Sequence, residues 1–419
     1  MTTAKMHRER VFETIAPLTG TQELPLHALL DAPRRLVADV SSPIDVPGFD
    51  NSSMDGYAAS AETLNAAILA SAADVSGAES GRLGPIPVRG RVAAGARGDR
   101  VAAGTAVEIM TGAPLPEGTD TVIKIEDTSP GSFGAEAITI AQPTDGPPPE
   151  PGRFVRRRGS DVRTGQTVLT AGTMLTPAHL GVAAACGIRT LPVLSLPRVL
   201  IVSTGDEIAA EAAAGINDAN SVTLSAGLRR LGVEVDAAFV PDEPQALLDR
   251  VRGSDAQLVI STGGISKGAH EVVKLAAELD AESAMVFEPI AMQPGGPQGC
   301  GRLADHAWIA LPGNPVSTLI SFELFIRPAL LGLAGDAAPR EVAHHRLAHG
   351  FDETPPAGKL QVRRARLTEA GLEFVGDSRS HLLHSYAEAT HLVFVSPDEP
   401  GPDNPFSPAG DRLMTWKIA

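Results

Sequence analysis

Cysteine is nearly missing from this chain: Cys186 and Cys300 are the only two in 419 residues. Neither has a C-x-x-C partner, which argues against thiolate zinc sites and iron–sulfur clusters. Two isolated thiols fit a reducing compartment. Positive charge is also in short supply, with 35 Lys and Arg against 50 Asp and Glu, a net charge of −15 and a pI near 5.2. That balance argues against nucleic acid or an anionic membrane as the main partner. It leaves room for an anionic small molecule held by backbone N–H groups or a bridging cation. Long hydrophobic runs are lacking. The most apolar stretch, 175–202, is broken by Pro177, His179, Arg189, Pro192, Pro197 and Arg198, so no bilayer-spanning segment is expected. The first residues have no apolar core of the kind a secretory leader needs, and a soluble, cytoplasmic protein is the expectation. The G-x-x-x-x-G-K-[ST] spacing of a phosphate-binding P-loop is absent, as is any solenoid-type repeat.

The length predicts roughly two to four domains. Residues 6–16 carry Val11, Phe12, Ile15 and Ala16 at helical spacing, ended by Pro17. Residues 26–37 read as a second, proline-interrupted helix. Ile86, Val88 and Val92 alternate with Arg89 and Arg91, which predicts a half-buried antiparallel strand. Further short strands at 106–109 and 121–126 complete a small β-domain, and the Pro/Gly-rich run 144–152 reads as a loop or boundary. From Arg198 onward strands and helices alternate. R-V-L-I-V-S is a continuous apolar run of the buried parallel type, and V-E-V-D-A-A-F-V, Q-L-V-I-S and A-W-I-A-L follow as strands. Asn220 and Ser221 are placed to open a helix bearing Leu224, Leu228 and Leu231 and ended by Gly232. Asp242 opens one bearing Leu247, Leu248 and Val251, ended by Gly253. A third carries Val272, Leu275, Ala276 and Leu279, and a last one runs through Phe322 and Phe325. A doubly wound α/β domain over about 190–332 follows. Beyond 333, Leu360 and Val362 alternating with Gln361 and Arg363, and the strand 392–395, predict a small C-terminal β-domain.

Ligands in open α/β sheets bind beyond the carboxyl ends of the strands. Three loops fall there: S-T-G-D-E (203–207), S-T-G-G-I-S-K-G (261–268) and L-P-G-N-P-V-S (311–317). Their glycines, hydroxyls and helix N-termini make Ser203, Thr204, Gly205, Gly263, Gly264, Ser266, Gly313 and Asn314 candidates for a phosphate cradle, with Lys267 on the second loop beside them. Ordinary strand–helix turns are the competing reading. Asp206, Glu207, Asp218 and Glu271 cluster near these loops, and Asp206, Asp218 and Glu271 are the candidate Mg²⁺ ligands. The competing reading has Asp218 and Glu271 serving only their helix dipoles. Asp55, in P-G-F-D-N-S-S-M-D-G-Y-A (47–58), is either a turn residue or a functional acid. Thr111 and Gly112, in M-T-G-A-P-L-P-E-G-T-D (110–120), are loop residues or ligand contacts. The arginines of R-R-R-G-S-D (156–161) read as a solvated stretch, with Asp161 left open. His344 and His345 point to opposite faces of a strand, so a metal pair is not expected. Ser380, His381 and His384 lack an orienting acid and a nucleophile elbow, which argues against hydrolysis.

The runs 47–58, 110–120 and 311–317 together resemble the MoeA family, molybdopterin molybdenumtransferase, whose vertebrate counterpart is the C-terminal part of gephyrin. G-S-D-V-R-T-G-Q-T-V-L-T-A-G-T-M-L-T-P (159–177), D-A-N-S, A-M-Q-P-G-G-P-Q-G and F-E-L-F-I-R-P-A-L are also similar to it. The resemblance implies an α/β and β multidomain fold. An elongated N-terminal domain would take 1–45 plus 146–189, and an inserted β-domain 46–145. A MogA-like α/β molybdopterin-binding domain would take 190–332, and a C-terminal β-barrel 333–419. It implies a homodimer whose site is shared between subunits, so that Asp55 and Thr111 meet Asp218 and Glu271 across the interface. It implies insertion of molybdenum from molybdate into adenylylated molybdopterin, with Mg²⁺ and release of AMP. A molybdopterin adenylyltransferase and molybdoenzyme acceptors would be partners, and neither nucleic acid nor membrane would be. By motif position the functional acids map to Asp55, Asp161, Asp218 and Glu271, and Thr111, Pro312, Pro315, Arg364 and Ser380 match positions the family uses. The chain departs from the pattern at Glu271, where Asp is usual, at the added Lys267, and at Pro289, Gln293 and Gly296, where many members place lysines. Two alternatives remain beside the transferase: a diverged paralogue with altered oxyanion use, such as tungstate, and a non-catalytic pterin-binding scaffold.

Overall fold

A computed structural model describes residues 2–32, 34–73, 82–141, 150–208, 215–265, 271–349, 356–396 and 412–418. Two compact units divide the chain. One comprises Met1–Ala38, Gly172–Leu175 and Leu191–Ala419, and the other Asp39–Ala171 and Thr176–Thr190.

The first unit is built on a six-stranded sheet in the order Val235–Val240, Val199–Thr204, Leu258–Thr262, His306–Leu311, Pro297–Leu303 and Val286–Pro289. The first four strands run parallel, and each of the last two pairs antiparallel with the strand before it. Side chains alternate across a strand. Val199 and Ile201 therefore enter one core with Leu224, Leu228, Ile260 and Ile309. Leu200 and Val202 enter the other with Leu247, Val251, Val259 and Trp308. A strand covered by helices on both faces has no polar side, which is why the sequence reads there as an unbroken apolar run. The helix Ala4–Ile15 packs Val11 and Ile15 into the first of these cores.

A second sheet in this unit runs Met292–Gln293, Leu360–Thr368, His391–Val395, Arg412–Lys417 and Val342–Arg346, with Gly371–Phe374 paired to Leu360–Thr368. A bridge between Leu347 and Leu372 joins its two ends and closes it into the expected small barrel. Ala365, Leu372, Val393 and Val395 cluster on one face of its strands, and Leu392, Phe394, Met414 and Trp416 on the other face share one apolar core with the α/β sheet.

The other unit carries a six-stranded sheet in the order Thr121–Lys124, Gly56–Ala59, Ala106–Ile109, Arg82–Val92, Ala137–Ala141 and Thr128–Ser129. Gly56 has no freedom to be anything larger, because a Cβ there would stand 1.9 Å from the Ile123 carbonyl oxygen.

The sequence expectations need correcting at several places. Residues 26–37 are not a helix: a 3₁₀ turn covers Leu26–Leu29. After it, Arg35 and Leu36 bridge to Met174 and Val193. Pro33 supplies no N–H for a continuing helix. The strand Arg82–Val92 pairs antiparallel with Ala137–Ala141 but parallel with Ala106–Ile109. In Leu360–Thr368 the alternating polar residues Gln361 and Arg363, with Arg364, are buried alongside Leu360 and Val362. The helix Ala219–Arg229 is capped by Asp218 rather than Asn220 or Ser221, and Pro244–Arg252 follows Glu243 rather than Asp242. In Val272–Leu279, Val272, Val273 and Ala276 are buried, whereas Leu275 and Leu279 are exposed.

Candidate functional site

The three glycine-bearing loops do converge at the carboxyl end of the parallel strands. Ser203, Thr204 and Thr262 end adjacent strands and are buried. Gly263 takes a positive φ of 91° and donates its N–H to the Leu311 carbonyl at 3.1 Å. A Cβ on Gly263 would lie 2.9 Å from the Thr204 carbonyl oxygen, and one on Gly313 would lie 3.5 Å from the Gly263 Cα. At Gly263 the positive φ and the close Thr204 carbonyl both require glycine, whereas a Cβ on Gly313 would make an ordinary contact. Gly264 and Gly205 also have positive φ. Ser266 and Lys267 lie outside the described residues.

The third loop is held from two sides. Asn220 donates through Nδ2 to the Gly313 carbonyl at 2.7 Å, and Thr318 Oγ1 donates to the Pro312 carbonyl at 2.7 Å. Pro315 opens the helix Pro315–Ser321, and Val316 donates its N–H to the Ser380 carbonyl at 3.0 Å. Pro312, Gly313, Asn314, Ser317, Arg379 and Ser380 thereby line a cavity of about 370 Å³, which Gln293 also reaches. Arg364 is fully buried, and its guanidinium donates to the Asp377 and Arg379 carbonyls. Burial is the main reason its pKa falls below the usual arginine value. It acts on this cavity by fixing the turn that carries Arg379 and Ser380. The resemblance marked the position, but its partners are backbone atoms and so had no pattern in the sequence.

The carboxylates do not form a metal cage. Among the described residues no group of three or more His, Cys, Asp and Glu could hold a metal ion. Asp206 Oδ1 accepts from the Asp242 N–H at 3.1 Å. Asp218 Oδ1 accepts from the Ser221 N–H at 2.9 Å and caps its helix. Glu271 stands before the helix Val272–Leu279 without capping it, and is paired with Lys274 at 3.0 Å. An ion brought in with phosphate oxygens needs only one or two carboxylates.

In the other unit, Asp55 Oδ1 accepts from both the N–H and the Oγ1 of Thr111, at 2.6 and 2.9 Å. These bonds, the backbone one first, hold the Asp55 pKa below 3.8. The motifs 47–58 and 110–120 are thus one structure, with Asp55 as the acceptor that binds them. Asp161 is exposed, and its N–H donates to the Val46 carbonyl at 3.0 Å. The arginine run is explained by its own chain: Arg157 pairs with Asp50 at 2.7 Å and Arg158 with Asp45 at 2.6 Å.

With this geometry in hand, comparison with known proteins is specific. A profile described as "MoeA N-terminal region (domain I and II)" matches residues 2–187. One described as "Probable molybdopterin binding domain" matches residues 200–332. The molybdopterin molybdenumtransferase 2 of Mycobacterium tuberculosis is 39% identical over 96% of this chain and 94% of its own length. The molybdopterin molybdenumtransferase of Synechococcus elongatus is 34% identical over 90% and 93%. A solved molybdopterin biosynthesis moeA protein of Pyrococcus horikoshii superimposes with a TM-score of 0.71 at 21% identity, covering 100% of both chains, a likeness of fold. Matches that run through both units, through the Asp55–Thr111 motif and through the loops around Gly263 and Gly313 place this chain in the MoeA family.

Proposed function

We propose that the protein inserts molybdenum from molybdate into adenylylated molybdopterin and releases AMP. The observation that supports this most is the convergence of the Thr204, Gly263 and Gly313 loops at the carboxyl end of the parallel sheet, beside Asp218 and Glu271. Glycine-lined turns followed by helix N-termini suit phosphate. The neighbouring cavity of about 370 Å³, with Arg379, Ser317 and Ser380 on its wall, suits a tetrahedral oxyanion. Mg²⁺, held by Asp218, Glu271 and the substrate's own oxygens, would neutralise phosphate charge and polarise phosphorus. Carboxyl groups assist molybdate in giving up oxo oxygen as water. The hydrogen bonds from Thr111 lower the Asp55 pKa, which disfavours it as the proton donor for that step. We further infer a homodimer in which Asp55 and Thr111 of one subunit complete the site of the other. A cytoplasmic location, delivery of substrate by a molybdopterin adenylyltransferase and transfer to molybdoenzyme acceptors complete the reading.

The test is in vitro. Purified protein, adenylylated molybdopterin, Mg²⁺ and low molybdate should release AMP and reconstitute a molybdenum-free acceptor enzyme. Asp218→Asn is the informative variant, because asparagine caps a helix as well as aspartate does. Loss of both readouts with an unchanged melting temperature assigns the charge to the reaction. Full activity in Asp218→Asn assigns Asp218 to the helix alone, and absence of turnover in the wild type removes the transferase reading.

A further inference from the structure

Each carbonyl of the loop 312–314 is held by a donor from a neighbouring helix. Thr318 Oγ1 donates to the Pro312 carbonyl at 2.7 Å, and the Thr318 N–H to the Asn314 carbonyl at 3.0 Å. Between them the Gly313 carbonyl accepts from Asn220 Nδ2 at 2.7 Å. The peptides of this loop are trans. Across a planar trans peptide the C=O and the following N–H point in opposite directions. A Pro312 carbonyl turned toward Thr318 therefore turns the Gly313 N–H away from it. A Gly313 carbonyl turned toward Asn220 turns the Asn314 N–H away from Asn220. Among the described residues neither N–H has a hydrogen-bond partner, and both residues are exposed. Pro315, next in the chain, has no N–H to add or to compete.

Asn220 is a poor choice for stability alone. It is 7% exposed. The Gly313 carbonyl is only an acceptor, so Nδ2 must face it. Oδ1 is then buried without a donor, which costs stability. An apolar side chain of similar size avoids that cost but cannot hold Gly313. Position adds a second reason. Asn220 lies in the first turn of the helix Ala219–Arg229, two residues after Asp218, which caps that helix. One amide thus fastens the segment that carries Asp218 to a loop 93 positions away.

We propose that Asn220 is a positioning residue for the transfer: by holding the Gly313 carbonyl, it keeps the Asn314 N–H turned, beside that of Gly313, toward the substrate's phosphate oxygens. This rests on the transferase reading. Asn220 itself does not touch the substrate. Its effect passes through one peptide plane, and without the amide that plane is free to rotate. Donors preset where charge develops act on the transition state more than on the bound substrate. Their loss therefore lowers kcat and leaves KM nearly unchanged.

The experiment compares the full-length wild type with Asn220→Leu and Asn220→Asp. Leucine nearly keeps the volume and removes the amide. Aspartate keeps the shape and sets a carboxylate against the Gly313 carbonyl. Melting temperature, kcat and KM for AMP release from adenylylated molybdopterin, and backbone amide hydrogen exchange are measured on each. With melting temperature near that of the wild type, kcat should fall about tenfold to a hundredfold, while KM stays within about twofold. Exchange should quicken at Val316 and Thr318, whose N–H groups bond the Ser380 and Asn314 carbonyls, and stay as in the wild type across Ala219–Arg229. Wild-type kcat in the variants overturns the proposal. Equal quickening through Ala219–Arg229 also overturns it, because Asn220 would then serve only its own helix. If the wild type releases no AMP, the transferase reading falls and exchange alone decides. Unchanged exchange at Val316 and Thr318 then overturns the hold on the loop, and faster exchange supports it. Asn220→Asp carries the same comparison should Asn220→Leu fail to fold.

Discussion

A single carboxylate oxygen ties the two motifs of the smaller unit together. Asp55 Oδ1 accepts both Thr111 donors, so removing it frees two donors at once. Both groups are near solvent, and water replaces much of what is lost. Asp55→Ala should therefore lower stability by less than about 1 kcal/mol, while the turn at Thr111 loosens and activity falls further than stability does. The sign of the pH dependence follows from the lowered pKa. A carboxylate whose folded pKa lies below its ordinary 3.8 stabilises the fold above that value, and the contribution disappears as pH falls through the folded pKa. The stability gap between wild type and Asp55→Ala, measured by urea titration, should be constant from about pH 8 to pH 5 and close below about pH 4. A gap that persists at the acid end would mean that Asp55 acts by packing rather than by charge.

At the scale of elements, the helix Ala4–Ile15 carries an acid-sensitive residue in its buried face. His7 has no exposure, and neither ring nitrogen has a hydrogen-bond partner. It lies edge-on to Phe325 at 4.8 Å, with Glu288 3.9 Å away and Arg10 also acting on it. Burial is the dominant cause that lowers its pKa from 6.5 to about 4, against the pull of Glu288. The neutral form is the folded one, so stability is present above pH 6.5 and is lost as pH falls toward 4, by on the order of 3 kcal/mol. Melting temperatures should drop between pH 7 and pH 4.5 in the wild type and much less in His7→Phe. Equal slopes in the two proteins would remove His7 as the cause.

Elements also show what a sequence displays and what it hides. The parallel strands were readable because burial on both faces leaves an unbroken apolar run. The site loops were readable because such strands must end in turns, and glycine marks the tight ones. Residues 26–37 misled because helical spacing says nothing about the bridges that Arg35 and Leu36 make to Met174 and Val193. Asn220 looked like a cap, yet its side chain reaches Gly313, 93 positions away. Arg364 belongs to the same class, with the Asp377 and Arg379 carbonyls as its partners. Their roles depend on segments that only the folded barrel and sheet bring near, and backbone partners leave no pattern in the side-chain code.

For the whole molecule, the proposed dimer makes a claim that neither unit can test alone. Asp55 belongs to one compact unit and Asp218 to the other. If each site draws Asp55 from one subunit and Asp218 from its partner, Asp55→Ala and Asp218→Asn homodimers each lack an acid in both sites. A mixed dimer differs: one of its sites receives both substitutions and the other receives neither. Random reassociation of equal amounts gives half mixed dimers with one intact site each, so about a quarter of wild-type AMP release should return. If each site is instead completed within one subunit, every site in the mixture still lacks one acid and nothing returns. Co-refolding the two inactive variants, with AMP release measured before and after and the dimer isolated by gel filtration, separates the two arrangements. Recovery near a quarter also requires that both variants be inactive through their own site, which the melting temperatures of the parent homodimers establish.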